Sequence, residues 1–165
     1  MLDGLRKLLR STVGSDPGGE GAPRDDVGLA TASLLVEMAR ADFTADAAEF
    51  ALIARLLEQR FGLTAEAIEA LLARATERAD RAVSLQEFTR LLHEQLDAHE
   101  KTGIVEMLWR LALADGHIDK HEEHLVRKVA GLLYVPDREL IGTKLRVLEE
   151  RSRRTDGKGS EEGGA

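Results

Sequence analysis

At 165 residues the chain suits one domain of about 100–150 residues with tails. A net charge of −7 argues against general nucleic-acid binding, which needs a basic footprint, and suits a cation or a basic partner. Cysteine is absent, which excludes a disulfide framework and any thiolate metal site.

Leu2, Leu5, Leu8 and Leu9 fall at helical spacing, with Arg6, Lys7 and Arg10 between them. Residues 1–10 therefore read as a short amphipathic helix with a basic face. Such a helix either docks on the body or frays, or it meets a protein partner or an anionic membrane surface through Leu2, Leu5 and Leu9. Residues 11–26 are a flexible linker by composition. The pattern then predicts a helix over 27–41, capped by Asp25 or Asp26 and burying Leu29, Leu34, Leu35 and Met38. An acidic turn, Asp42 to Asp46, follows.

Phe50, Ile53, Ala54, Leu57 and Phe61 mark a helix over about 46–61, stopped at Gly62. Thr64 starts another, which carries Ile68, Leu71 and Leu72 and ends near Ala79. Ser84-Leu-Gln-Glu87 has the spacing of a capping box and opens a helix with Leu85, Phe88, Leu91, Leu92 and Leu96. A helix over about 99–114 buries Ile104, Leu108, Trp109, Leu111 and Ala112. Beyond a second turn Leu125, Val126, Val129, Leu132 and Leu133 face inward. Pro136-Asp137 opens the last helix, with Leu140, Ile141, Leu145 and Leu148. From Glu149 onward the chain turns polar and Gly-rich, and residues 151–165 read as a disordered tail. No stretch alternates with period two, so the fold class is all-α. No apolar run reaches the roughly 20 residues of a membrane span, and no secretory signal is visible. A cytoplasmic location is the expectation.

The second turn is the most informative stretch. Asp115-Gly116 is a turn signal, and Asp119 and Glu122 stand at the spacing of an N-cap and its reciprocal partner. A weaker copy lies 73 residues upstream, where Asp42, Asp46 and Glu49 match Asp115, Asp119 and Glu122. The same offset pairs Leu35 with Leu108, Ile68 with Ile141 and Leu72 with Leu145. This points to a duplicated helix-turn-helix unit, roughly 34–72 and 107–145, with pseudo-two-fold symmetry.

Two readings of the acids stand side by side. In one, Asp46, Glu49, Asp119 and Glu122 are ordinary caps at the positive ends of helices. In the other, all six acids share a site for calcium or magnesium or for a basic partner. Asp42 and Asp115 fit the capping reading less well, because each ends a helix, where the dipole disfavours a carboxylate. That conflict calls for a cation, an arginine or a helix N-terminus nearby. Residues 115–122 match only the second half of an EF-hand loop, since Leu111 and Leu113 hold the places of its first acids. His121 and His124 are one residue too close for a zinc-protease motif. No phosphate loop and no nucleophile constellation is present, so no enzymatic activity is expected.

Ala-Asp-Gly-x-Ile-x-x-x-Glu between two apolar helices, with a degenerate upstream Ala-Asp copy, resembles the TerB family of tellurite-resistance proteins. Similar modules occur at the N-terminus of a membrane-anchored DnaJ-type co-chaperone. The resemblance covers roughly 27–148. It implies a compact bundle of about seven helices in which pseudo-symmetry brings the two acidic motifs together. It also implies metal binding by Asp115, Glu122 and Asp119, and less directly by Asp42, Asp46 and Glu49, and a stress-response role at the inner membrane face. Phe43 departs from the pattern, standing where the second copy has Gly116. The competing expectation is a protein-interaction scaffold in which the acids only cap helices.

Overall fold

The computed structural model describes residues 22–41, 46–81 and 84–158. Over these residues the chain forms helices and no strands: α1 (Ala22–Arg40), α2 (Ala47–Phe61), α3 (Ala65–Asp80), α4 (Leu85–Gln95), α5 (Ala98–Ala112), α6 (Lys120–Leu132) and α7 (Asp137–Lys158). This is the all-α bundle of about seven helices that the periodicity and the resemblance predict. Asp42, Phe43 and the segment with Leu2, Leu5 and Leu9 lie outside the described residues. No described helix is long and apolar enough to cross a membrane.

Local chemistry sets the helix ends. At α2 the Asp46 carboxylate accepts the Glu49 amide at 2.8 Å, and Glu49 accepts the Asp46 amide at 3.1 Å. Asp97 and Glu100 close a second such box at the start of α5. Thr64 caps α3 and Ser84 caps α4, each accepting the amide three residues on. Gly62 ends α2 with φ +63, a left-handed position that glycine takes without steric cost.

α1 is buried almost all round and packs against α2, α3, α4 and α5. A helix that is apolar on every side belongs at the centre of a core. Its Thr31 and Ser33 hydroxyls donate back to the Val27 and Leu29 carbonyls, so neither is left unsatisfied by burial. α5 is the second axis, packed on α1, α2, α6 and α7. Its Trp109 is fully buried and donates its indole N–H to the Leu140 carbonyl at 3.1 Å, joining α5 to the start of α7.

Three features differ from the sequence expectation. α1 starts at Ala22, five residues inside the stretch assigned to the linker. Pro23 in a first turn sacrifices no intrahelical hydrogen bond, and Asp25 complements the helix dipole. α7 continues to Lys158 through much of the stretch read as a disordered tail. There Arg153 pairs with Glu149 at 2.7 Å one turn away, and the Thr155 hydroxyl donates to the Arg151 carbonyl at 3.0 Å. Polarity at this end marks a solvated helix face rather than a lack of structure. Finally, the core-facing stripe of α7 is Leu140, Thr143 and Val147, while Ile141, Leu145 and Leu148 are exposed.

Candidate functional site

Between α5 and α6 the chain turns in four steps. The Gly116 amide donates to the Leu113 carbonyl at 3.0 Å, and Gly116 takes φ +87. The Asp115 carboxylate accepts the His117 amide at 2.9 Å, the side-chain turn that aspartate forms readily. Asp119 caps α6 by accepting the His121 amide at 2.7 Å, the second helical residue rather than the third. Glu122, in the first turn of α6, is only 6% exposed.

Arg151 of α7 completes this turn. Its guanidinium donates to the Ala114 carbonyl at 2.9 Å. A positive charge thus stands at the C-terminal end of α5, beside the carboxylate that the dipole disfavours. The compensation that the sequence demands at Asp115 includes an arginine, drawn from 36 residues further along the chain. A Cβ at Gly116 would lie 3.3 Å from the same guanidinium.

These groups border one open cleft of about 590 Å³, bounded by α2, the end of α5, the start of α6 and α7. Asp46 and Glu49 reach it from α2, Asp115 from the turn and Glu122 from α6. Leu52, Leu56, Leu111 and Val147 supply apolar lining. Arg55, Arg110, Arg151, Arg154 and Glu150 line it as well. Arg110 is fixed: it donates to Glu150 at 2.6 and 3.3 Å and to Glu106 at 2.7 Å. The hydrogen bond from Arg110 holds the Glu150 carboxyl below its ordinary range. The same bond raises the guanidinium of Arg110. Arg146 adds a contact to Glu106 at 3.2 Å, so α5 and α7 are joined by a charged network. The charges of Arg154 and Arg146 act on Glu150 in the same direction as that of Arg110.

Of the six acids singled out in the sequence, the cleft brings together Asp46, Glu49, Asp115 and Glu122. Asp119 serves α6 as its cap, and Asp42 lies outside the described residues. Among the described residues no three His, Asp or Glu side chains stand where they could hold one metal ion. His93, on α4, meets Lys101 at 2.8 Å and the Tyr134 ring at 4.7 Å. The four cleft arginines escaped the sequence reading. For Arg110 and Arg154 a faint signal exists, an acid one turn earlier at Glu106 and Glu150; for Arg151 none does.

Comparison with known families finds that the model for "Tellurite resistance protein TerB" matches residues 28–145. Among solved structures the chain is similar to a protein of unknown function from Porphyromonas gingivalis W83, with a TM-score of 0.56. The two are 21% identical, over 76% of this chain and 95% of that one, a likeness of fold. No curated protein matches.

Proposed function

Because this chain belongs to the TerB family of tellurite resistance proteins, we propose that it is a non-enzymatic stress-response module whose paired acidic turns receive a positively charged ligand at their shared cleft. One observation carries this reading: acids from two turns about 70 residues apart in sequence, Asp46 and Glu49 on one side and Asp115 and Glu122 on the other, border the same cleft. The ligand that fits best is a basic segment of a protein partner. The cleft is many times larger than an ion, it has apolar lining, and its described carboxylates do not close on one point. Lysine or arginine side chains of such a segment would meet the carboxylates while its aliphatic parts cover Leu52 and Leu56. In this reading the module works in the cytoplasm, at or near the inner membrane face.

The convergence of the two turns also favours a second reading, a calcium or magnesium ion. Asp46, Glu49, Asp115 and Glu122, completed by Asp42 and Asp119, would offer the oxygen ligands that a hard cation takes. The described residues alone do not form that cage, so this reading depends on Asp42. Bound cation would link the two turns and stabilise the fold by about 2.7 kcal/mol at a hundredfold excess over Kd.

Two measurements on wild type, Asp115→Asn and Glu122→Gln separate the readings. Binding of a fluorescent lysine- and arginine-rich peptide should weaken with salt and fall in both variants. Thermal melts with chelator and with millimolar calcium or magnesium should show a metal-dependent shift, lost in Asp115→Asn, only if the ion reading is right. Neither peptide binding nor a metal shift would leave the acids as structural caps on a scaffold module.

A further inference from the structure

The exposed stripe on α7 consists of Ile141, Leu145 and Leu148, 49%, 59% and 38% exposed. Spacings of four and three put them on one face of the helix. The 73-residue offset read in the sequence pairs Ile141 with Ile68 and Leu145 with Leu72. Those counterparts are covered. Ile68 is 5% exposed and Leu72 half-buried, and both share a recess with Ala54 and Arg55 of α2. In the second half the equivalent helix, α6, packs chiefly on α4 and α5 instead. The stripe on α7 thus lacks the neighbour that its counterpart on α3 has.

We propose that the stripe on α7 is the docking site of the chain's own residues 1–10, through Leu2, Leu5 and Leu9. Three physical arguments select this occupant. The first is pattern: apolar residues at spacings of three and four form the one face that a helix needs to lie along another helix. The second is area. Three side chains at these exposures offer roughly 250 Å² per molecule, so two copies meeting here would bury about 500 Å², well under the roughly 1,200 Å² of a stable specific interface. A tethered segment needs less, because the tether supplies an effective concentration of about a millimolar. The third is reach. The eleven residues 11–21 span up to about 35 Å when extended. A domain of this length is on the order of 35 Å across, so that span brings residues 1–10 within reach of a helix at its surface. Docking hides the leucines that would otherwise meet a partner or a membrane surface, independently of the ligand of the cleft.

Trypsin has three sites in this segment, Arg6, Lys7 and Arg10. Their initial cleavage rates in the native full-length protein read the docked population directly. Leu145→Asp and Leu148→Asp should each raise those rates about tenfold while leaving the thermal melt of the body nearly unchanged. The triple variant Leu2→Ser, Leu5→Ser, Leu9→Ser should be cut as fast as Leu145→Asp. Equal rates in wild type and in both α7 variants, with all of them folded by circular dichroism, overturn the proposal. So does protection that grows with protein concentration together with dimer in sedimentation, since a second copy then covers the stripe. If an aspartate variant unfolds, Ile141→Ser and Leu145→Ser are read in its place.

Discussion

A carboxylate at the C-terminal end of a helix is ordinarily a cost, and Asp115 shows how single residues offset it. Asp115 accepts the His117 amide, and Arg151 covers the Ala114 carbonyl. Arg151→Ala removes a charge-assisted bond to a helix end and should cost about 1 kcal/mol in urea unfolding. Arg151→Lys should recover part of the loss. Charges also make opposite demands on pH at two other residues. Arg110 keeps the Glu150 carboxyl below its usual range, so that pair stabilises the fold above the unfolded value near 4.5 and the stabilisation fades as pH falls through the lower folded value. Glu37 on α1 is pushed upward by burial, against a smaller opposing effect from Arg40. Its charged form is a burden in the folded state at neutral pH, relieved as pH falls through the raised folded value. Glu150→Gln should therefore lower Tm at neutral pH and converge with wild type in acid. Glu37→Gln should raise Tm at neutral pH, and that difference should also shrink in acid.

At the scale of the helix, α7 carries more of the structure than its composition suggests. Its first half supplies Leu140, Thr143 and Val147 to the core, and its second half supplies Glu150 and Arg151 to the cleft. A chain ended after Glu149 removes the Arg110–Glu150 pair and the Arg151–Ala114 bond together. It should lose roughly 2 kcal/mol, and exchange of the amides in residues 113–118 should quicken. If everything after Glu149 were an unstructured tail, the truncation would leave both measurements unchanged. The two glycine turns differ in the same terms. Gly62 has open space around a would-be Cβ, so only its left-handed φ is at stake, whereas a Cβ at Gly116 also meets Arg151.

Over the whole molecule, α1 and α5 draw the helices around one continuous core, which runs from Val27 to Val147. Neither the first nor the second half of the chain has a core of its own, because α1 packs on α5 and α2 reaches α5 as well. Unfolding should accordingly be a single transition. Trp109, buried at the junction of α5 and α7, reports one end of this core, and far-ultraviolet circular dichroism reports all the helices. Their urea midpoints should coincide. Separated midpoints would mean that the two halves fold as independent units.

The sequence by itself determined what depends on near neighbours. Helical periodicity gave the class and five of the seven helices to within about two residues, and the caps at Asp46, Thr64 and Ser84 and the stop at Gly62 were legible because each is made within one turn. The acids of the two turns were legible too, as were Asp115 as a residue in need of compensation and Gly116 as part of a turn. Tertiary structure decided the rest. The bonds Arg110–Glu150 and Arg151–Ala114 join residues 40 and 37 apart, and nothing local to either partner encodes which helix will pack beside it. The phase of α7 was decided the same way. Leu140, Ile141, Leu145 and Leu148 are alike as residues, and only the position of α5 selects Leu140 for the core and leaves the others in solvent. Glu122, finally, has the spacing of a surface cap in the sequence, but the packing of α6 buries it beside the cleft, because burial is set by what covers a side chain rather than by its polarity.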